Sequence, residues 1–142
     1  MVKHLNQEQL KELISITSEK LGIKLPSVIE KDYYVTQIIN ILSNVENNYF
    51  RLIFAGGTCL AKAHKIVKRM SEDVDFKIQA KKINESFSKT RFLKELKEFR
   101  SQILSTLSLP DFTVSETVVA NEGQYLRIEL NYPSSYSASL TL

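Results

Sequence analysis

The sequence predicts a single α+β domain, and three observations carry that prediction. The first 48 residues hold two amphipathic stretches with helical spacing. Residues 73–78 alternate apolar and charged side chains with period two. Two strand-like runs, Phe112–Val119 and Gln124–Tyr132, flank a turn at Asn121-Glu122-Gly123. A chain of 142 residues fits one domain. It is long enough to bury roughly 70% of its unfolded surface. The expected division is an N-terminal helical part over 1–48, an α/β core over 50–132 and a tail over 133–142.

The first helix is signposted at both ends. Asn6 can cap it, Gln9 completes a capping box, and Leu5 with Leu10 forms a hydrophobic staple. Leu10, Leu13, Ile14, Thr17 and Leu21 follow helical spacing, and Gly22 is a natural stop. A second helix is expected from Pro26-Ser27, since proline suits a first turn. Its apolar stripe runs through Val28, Val35, Ile38, Ile39, Leu42 and Val45. Asp32 falls on that stripe, which reads either as a stripe edge with an internal salt bridge or as a residue supporting a nearby site.

Asn44–Asn48 reads as a loop. Leu52-Ile53-Phe54-Ala55 is a continuous apolar run, the form expected of a central strand. Gly56-Gly57 ends it, and Thr58 can cap a helix expected over Cys59–Lys68. Val74, Phe76 and Ile78 then alternate with Asp73, Asp75 and Lys77 as a strand. After a polar linker at Lys81–Ser86, a long helix is marked by Phe92, Leu96, Phe99, Ile103 and Leu107, closed by Pro110. On the last strand Tyr125, Arg127, Glu129 and Asn131 share one face, with Leu126, Ile128 and Leu130 on the other. The tail is serine-rich and without helical pattern. It ends on Leu140-Thr141-Leu142, so the expectation is a chain that stops partway through a larger architecture.

Composition narrows function less than the motifs do. A net charge of +3 permits nucleotide or RNA binding without demanding it. The single cysteine, Cys59, excludes an internal disulfide and fits a reducing cytoplasm. No run is apolar and long enough to span a membrane, and the N-terminus lacks the apolar core of a signal peptide. Cys59 sits at a core-like position, and His4 and His64 lack ligand spacing. No phosphate-loop signature is present, and the tyrosines and phenylalanines fall at core-like spacings.

Chemistry concentrates between Arg51 and Ile78. Asp73 and Asp75, two apart on a strand, leave the same face. Two carboxylates about 4 Å apart repel by about 4 kcal/mol at an effective dielectric near 20. A hard divalent cation offsets that repulsion, and Mg²⁺ takes one or two carboxylates plus substrate phosphates. Glu129 is a candidate third ligand from a neighbouring strand, although Arg127 on its face could simply pair with it. The bland alternative for the aspartates is a solvated strand face balanced by Lys77. The Gly56-Gly57 turn lets backbone N–H groups approach an anion at a helix start. Thr58, Arg69 and Ser71 could reach the same phosphates, although a tight turn with nothing bound is the bland reading.

Taken together, Phe54-Ala55-Gly56-Gly57-Thr58 and Arg69-x-Ser71-x-Asp73-Val74-Asp75-Phe76 resemble the active-site signature of the polymerase-beta-like nucleotidyltransferase superfamily. Within it, Glu30-Lys31-Asp32-Tyr33 upstream makes the AbiEii/AbiGii toxin family the nearest resemblance, over about Ile29–Tyr132. The resemblance implies a mixed sheet flanked by helices, with Asp73, Asp75 and Glu129 holding Mg²⁺ (or Mn²⁺) as the catalytic carboxylates. It implies nucleotide binding by Gly56, Gly57 and Ser71, transfer of an NMP from an NTP to an acceptor such as tRNA, and a cognate antitoxin. Such family members usually continue into a helical region carrying a lysine and an acidic motif, which nothing after Tyr132 matches. The expected function is therefore a nucleotidyltransferase toxin. The alternative is a catalytically silent fragment that binds nucleotide or antitoxin.

Overall fold

A computed structural model describes residues 5–55, 75–123, 125–136 and 139–141. Helix α1 spans Gln7–Leu21 and α2 spans Pro26–Leu42. Strands β1 (Phe50–Ala55) and β2 (Asp75–Ala80) follow, then helix α3 (Lys89–Leu107). Strands β3 (Thr113–Ala120), β4 (Tyr125–Asn131) and β5 (Ser139–Thr141) complete the chain. The α+β class expected from the sequence is the class observed.

The local signals act as physics requires. The Asn6 side chain accepts from the Gln9 backbone N–H at 2.8 Å, and the Gln9 side chain accepts from the Asn6 N–H at 3.1 Å. Two otherwise orphaned donors are thus satisfied reciprocally. Gly22 adopts φ 65°, the left-handed conformation that ends α1. Pro26 takes the first turn of α2, where its missing N–H costs nothing. The Ser88 side chain accepts from the Arg91 N–H and starts α3.

Every strand pair among the described residues is antiparallel. β1 and β2 form one two-stranded sheet, and β3-β4-β5 form a second in that order. The apolar run at β1 therefore has β2 as its described neighbour and is not flanked on both sides as a central strand would be. Its burial alternates, with Phe50 buried, Leu52 and Phe54 half-buried, and Arg51 and Ile53 exposed. A continuous apolar run alone does not reveal how many neighbours a strand has. In β2, Phe76 and Ile78 are half-buried while Lys77 and Gln79 are exposed, so the period-two expectation holds. The β3–β4 turn places Asn121 and Glu122 at φ 51° and 53°, a twist suited to a tight hairpin.

The three described α-helices and the two described sheets share one core. Leu10 and Ile14 of α1, Ile38 of α2, Phe99 of α3, Phe50 of β1 and Leu130 of β4 belong to it. The phase of α2 differs from the expected stripe. Ile29, Glu30, Tyr34, Val35, Ile38 and Leu42 are buried, whereas Val28 and Ile39 are only half-buried. The tail, in which the sequence shows no helical pattern, carries a three-residue strand, because Ser139–Thr141 pairs with Glu129–Asn131 as β5. None of the described helices is long and apolar enough to cross a membrane.

Phe99 is fully buried and stacks on Phe50 with ring centroids 5.6 Å apart. Phe99→Ala should lower the unfolding free energy by about 3–5 kcal/mol, through lost transfer energy and the cavity left behind. Leu13→Ala, at a side chain 46% exposed, should cost less than about 1 kcal/mol. Urea denaturation of both variants measures the contrast.

Candidate active site

The β1–β2 register is the described part of the candidate site. Ala55 lies directly opposite Asp75, and Phe54 lies opposite Phe76 with their rings 5.5 Å apart. The chain leaves β1 at Ala55 and re-enters the sheet at Asp75, so these two bracketing residues are cross-strand neighbours. Gly56, Gly57, Thr58, Arg69, Ser71 and Asp73 lie outside the described residues, as does the helix expected over Cys59–Lys68. Asp75 is described as the first residue of β2.

The base of the hairpin is tied down at its opposite end. The Lys81 N–H donates to the Tyr49 carbonyl at 2.8 Å, and its Nζ meets Glu46 Oε2 at 2.9 Å. The Lys81 hydrogen bond, and then its charge, hold the Glu46 carboxyl below the usual carboxylate range. The Asn47 side chain accepts from the Tyr49 and Phe50 N–H groups at 2.8 Å each, which fixes the entry into β1.

Glu129 occupies the polar face of β4, the face the sequence alternation assigns it. Ile128 and Leu130 on either side of it are buried. Its cross-strand neighbours are Glu116 of β3 and Thr141 of β5. Like charges directly opposite one another destabilise a sheet unless a cation intervenes. No ion pair joins Glu129 to Arg127 among the described residues. β4 and β2 belong to different sheets, so Glu129 is not the strand neighbour of Asp75 that the sequence reading expects. Among the described residues no group of three or more histidines, cysteines or carboxylates could by itself hold a metal ion. Carboxylates alone remain the right donor class for Mg²⁺.

Asp32 is half-buried on α2, and the fully buried carboxylate is Glu30 two residues earlier. The sequence reading quoted Glu30 only within the Glu30-Lys31-Asp32-Tyr33 segment and did not anticipate its burial. Its oxygens accept from the Ser134 hydroxyl at 2.6 Å and from the Ser135 backbone N–H at 2.8 Å. The Tyr136 N–H in turn donates to Ser134 Oγ at 3.0 Å. Beside this clamp the Tyr34 and Tyr132 rings stack at 4.3 Å and 26°. Gln7 Nε2 donates to the Tyr34 hydroxyl, which donates to the Pro133 carbonyl, each at 3.4 Å. Burial, followed by the nearby Glu30 carboxylate, pushes the Tyr132 phenol up to about 12 and raises that of Tyr34. The Tyr132 hydroxyl is buried without a hydrogen-bond partner. The available sequence signal was the spacing of Glu30, Tyr34 and Ile38 on one helical face; the serines that satisfy the carboxylate lie a hundred residues away.

A family model described as the nucleotidyl transferase AbiEii toxin of type IV toxin–antitoxin systems matches residues 43–141, well over half of the chain. No curated protein and no solved structure matches.

Two substitutions test the clamp. Glu30→Ala should destabilise the fold by about 2–4 kcal/mol, since it strips charge-assisted hydrogen bonds from a buried site. Tyr132→Phe should be neutral or stabilising by about 1 kcal/mol, because it removes a buried hydroxyl that has no partner. The Tyr132 phenol is raised in the folded state, so its contribution is complete below about pH 10 and is lost as pH rises through about 12. Tyr132→Phe should therefore flatten the alkaline fall in stability, as measured by urea denaturation between pH 8 and 12.

Proposed function

The chain belongs to the AbiEii family of nucleotidyl transferase toxins, and on that premise we propose that it transfers a nucleoside monophosphate from an NTP to an acceptor hydroxyl, on tRNA or on a protein. The observation that carries this reading is the β1–β2 register. Ala55 pairs with Asp75, and in the sequence Gly56-Gly57-Thr58 follows the first of these residues while Asp73 precedes the second by two.

In this reading Gly56 and Gly57 present backbone N–H groups to the triphosphate. Thr58 and Ser71 donate hydroxyl hydrogen bonds to it, and Arg69 grips its oxygens through its guanidinium fork. Asp73 and Asp75 hold Mg²⁺ or Mn²⁺, with Glu129 as the third carboxylate. A cation held by these residues would neutralise phosphate charge and ease ionisation of the acceptor hydroxyl. The acceptor oxygen attacks the α-phosphorus in line, a new P–O bond forms, and the bond to the β-phosphate breaks to release pyrophosphate. Asp32, two residues after the buried Glu30 on α2, supports a basic group of the site. A type IV toxin–antitoxin system supplies a cognate antitoxin as partner, and the NTP substrate places the work in the cytoplasm.

A second reading is nucleotide or antitoxin binding without turnover. It is favoured by one observation, that Glu129 stands in a different sheet from β2. Transfer of label from an α-³²P NTP to tRNA or protein by this chain separates the two, since transfer supports the first and contradicts the second.

Calorimetric titration tests the site itself. NTP binding should require Mg²⁺ and should fall below detection in the Asp73→Asn/Asp75→Asn double variant. Equal binding with and without metal would contradict this assignment.

A further inference from the structure

We propose that the outer edge of β3 pairs, antiparallel, with the same edge of a second copy of this chain, joining two three-stranded sheets across a two-fold axis. The proposal goes beyond nucleotidyl transfer and does not depend on it.

An edge strand presents a row of backbone N–H and C=O groups that only another extended strand can satisfy in series. Among the described residues β3 is such a strand. It pairs with β4 on one side, and the sheet ends at β3 on the other. No backbone hydrogen bond reaches Thr113–Ala120 from a described loop or turn. Every residue from Glu116 to Ala120 is exposed. Val118 and Val119 point to opposite faces, yet they are 38% and 52% exposed. Solvent thus reaches both faces of this stretch.

The devices that blunt an edge are sparse here. β3 has no lysine, arginine or proline, and its valines and threonines favour extended backbone. Its bulge, between Val114 and Glu116, lies near its start. Beyond the bulge, Glu116–Ala120 pairs with β4 without interruption, and Asn121 then turns to φ 51°.

Those five residues decide the partner. An antiparallel two-fold pair sets one residue opposite its own copy. Val118 is the midpoint of Glu116-Thr117-Val118-Val119-Ala120, so centring there uses the whole unbroken stretch and nothing beyond it. Val118 then meets its copy, Thr117 meets Val119, and Glu116 meets Ala120. The single charge faces a methyl group, and the two glutamates stand roughly 14 Å apart along the strands. Centring on Thr117 sets Glu116 against Val118 and draws in the bulged Ser115. Centring on Glu116 sets like charges directly opposite. Centring on Val119 runs into the turn at Asn121. The strand complements itself in one register, which favours a second copy over a strand of another protein. A five-residue strand pair is smaller than a permanent interface, so the dimer is weak and forms as concentration rises.

Sedimentation of the full chain from about 10 to about 500 µM reads this association. The chain should pass from monomer toward dimer and stop there, because a two-fold pair closes. Val118→Lys sets two ammonium groups opposite each other and should weaken the dimer about tenfold. Circular dichroism confirms that this variant is folded. Cross-linking reads the register independently. In a Cys59→Ser background, which removes the only natural cysteine, Val118→Cys should link two copies on mild oxidation. Directly opposite Cα atoms lie about 4.5–5.5 Å apart, within disulfide reach. Ala120→Cys, exposed on the same face, should link far less, because its copy lies roughly 14 Å away. The proposal is overturned if the chain stays monomeric throughout, as it would if this edge took only a strand of another protein. It is also overturned if association runs past the dimer, if folded Val118→Lys associates undiminished, or if Val118→Cys and Ala120→Cys cross-link equally.

Discussion

A buried carboxylate needs donors, and Glu30 finds them at the far end of the chain. Removing an ionised carboxylate from water costs several kcal/mol unless hydrogen bonds replace its hydration. Two do so here, from the Ser134 hydroxyl and the Ser135 N–H. The requirement binds α2 to the segment that leaves β4, which otherwise has no regular structure of its own between Tyr132 and Tyr136. The Tyr34–Tyr132 stack lies beside the clamp and adds apolar burial to it. β5, further along the chain, pairs with Glu129–Asn131 and adds the third strand of this sheet.

The arrangement explains how the two small described sheets can share one core. A two-stranded hairpin is marginal alone in water and gains stability by packing against a helix. Both sheets here lay their apolar faces on the same helical layer, with Phe50 from one and Ile128 and Leu130 from the other entering a common core. What remains outward on β4 is a polar face carrying Glu129 opposite Glu116. At one end of the β1–β2 pair Ala55 lies opposite Asp75.

Much of this was legible in the sequence because the signals were local. The Asn6–Gln9 box, the Gly22 stop, the Pro26 start and the Asn121–Gly123 turn each act within a few residues, and each was found where expected. The alternation in β2 and β4 was equally legible, since period two reports directly on one buried face. Tertiary facts were not. Glu30 looks like a solvated helical glutamate until serines from residues 134 and 135 arrive, and no local pattern announces them. β5 went unread because three residues paired to β4 leave no periodicity to detect. The apolar run of β1 suggested a central strand because composition reports burial, not the number of hydrogen-bonded neighbours. For the candidate site, the motif between Gly56 and Asp75 was plain, whereas the strand partner of Glu129 depends on sheet topology that no spacing encodes.

Backbone hydrogen exchange at Ser135 tests the clamp most directly. Its amide lies in an irregular segment, yet it donates to a buried carboxylate. The account predicts protection approaching that of core amides such as Ile38, with exchange governed by opening of the whole domain. Exchange as fast as at the exposed loop residue Asn48 would contradict it, because Glu30 would then lack the partner that makes its burial tolerable.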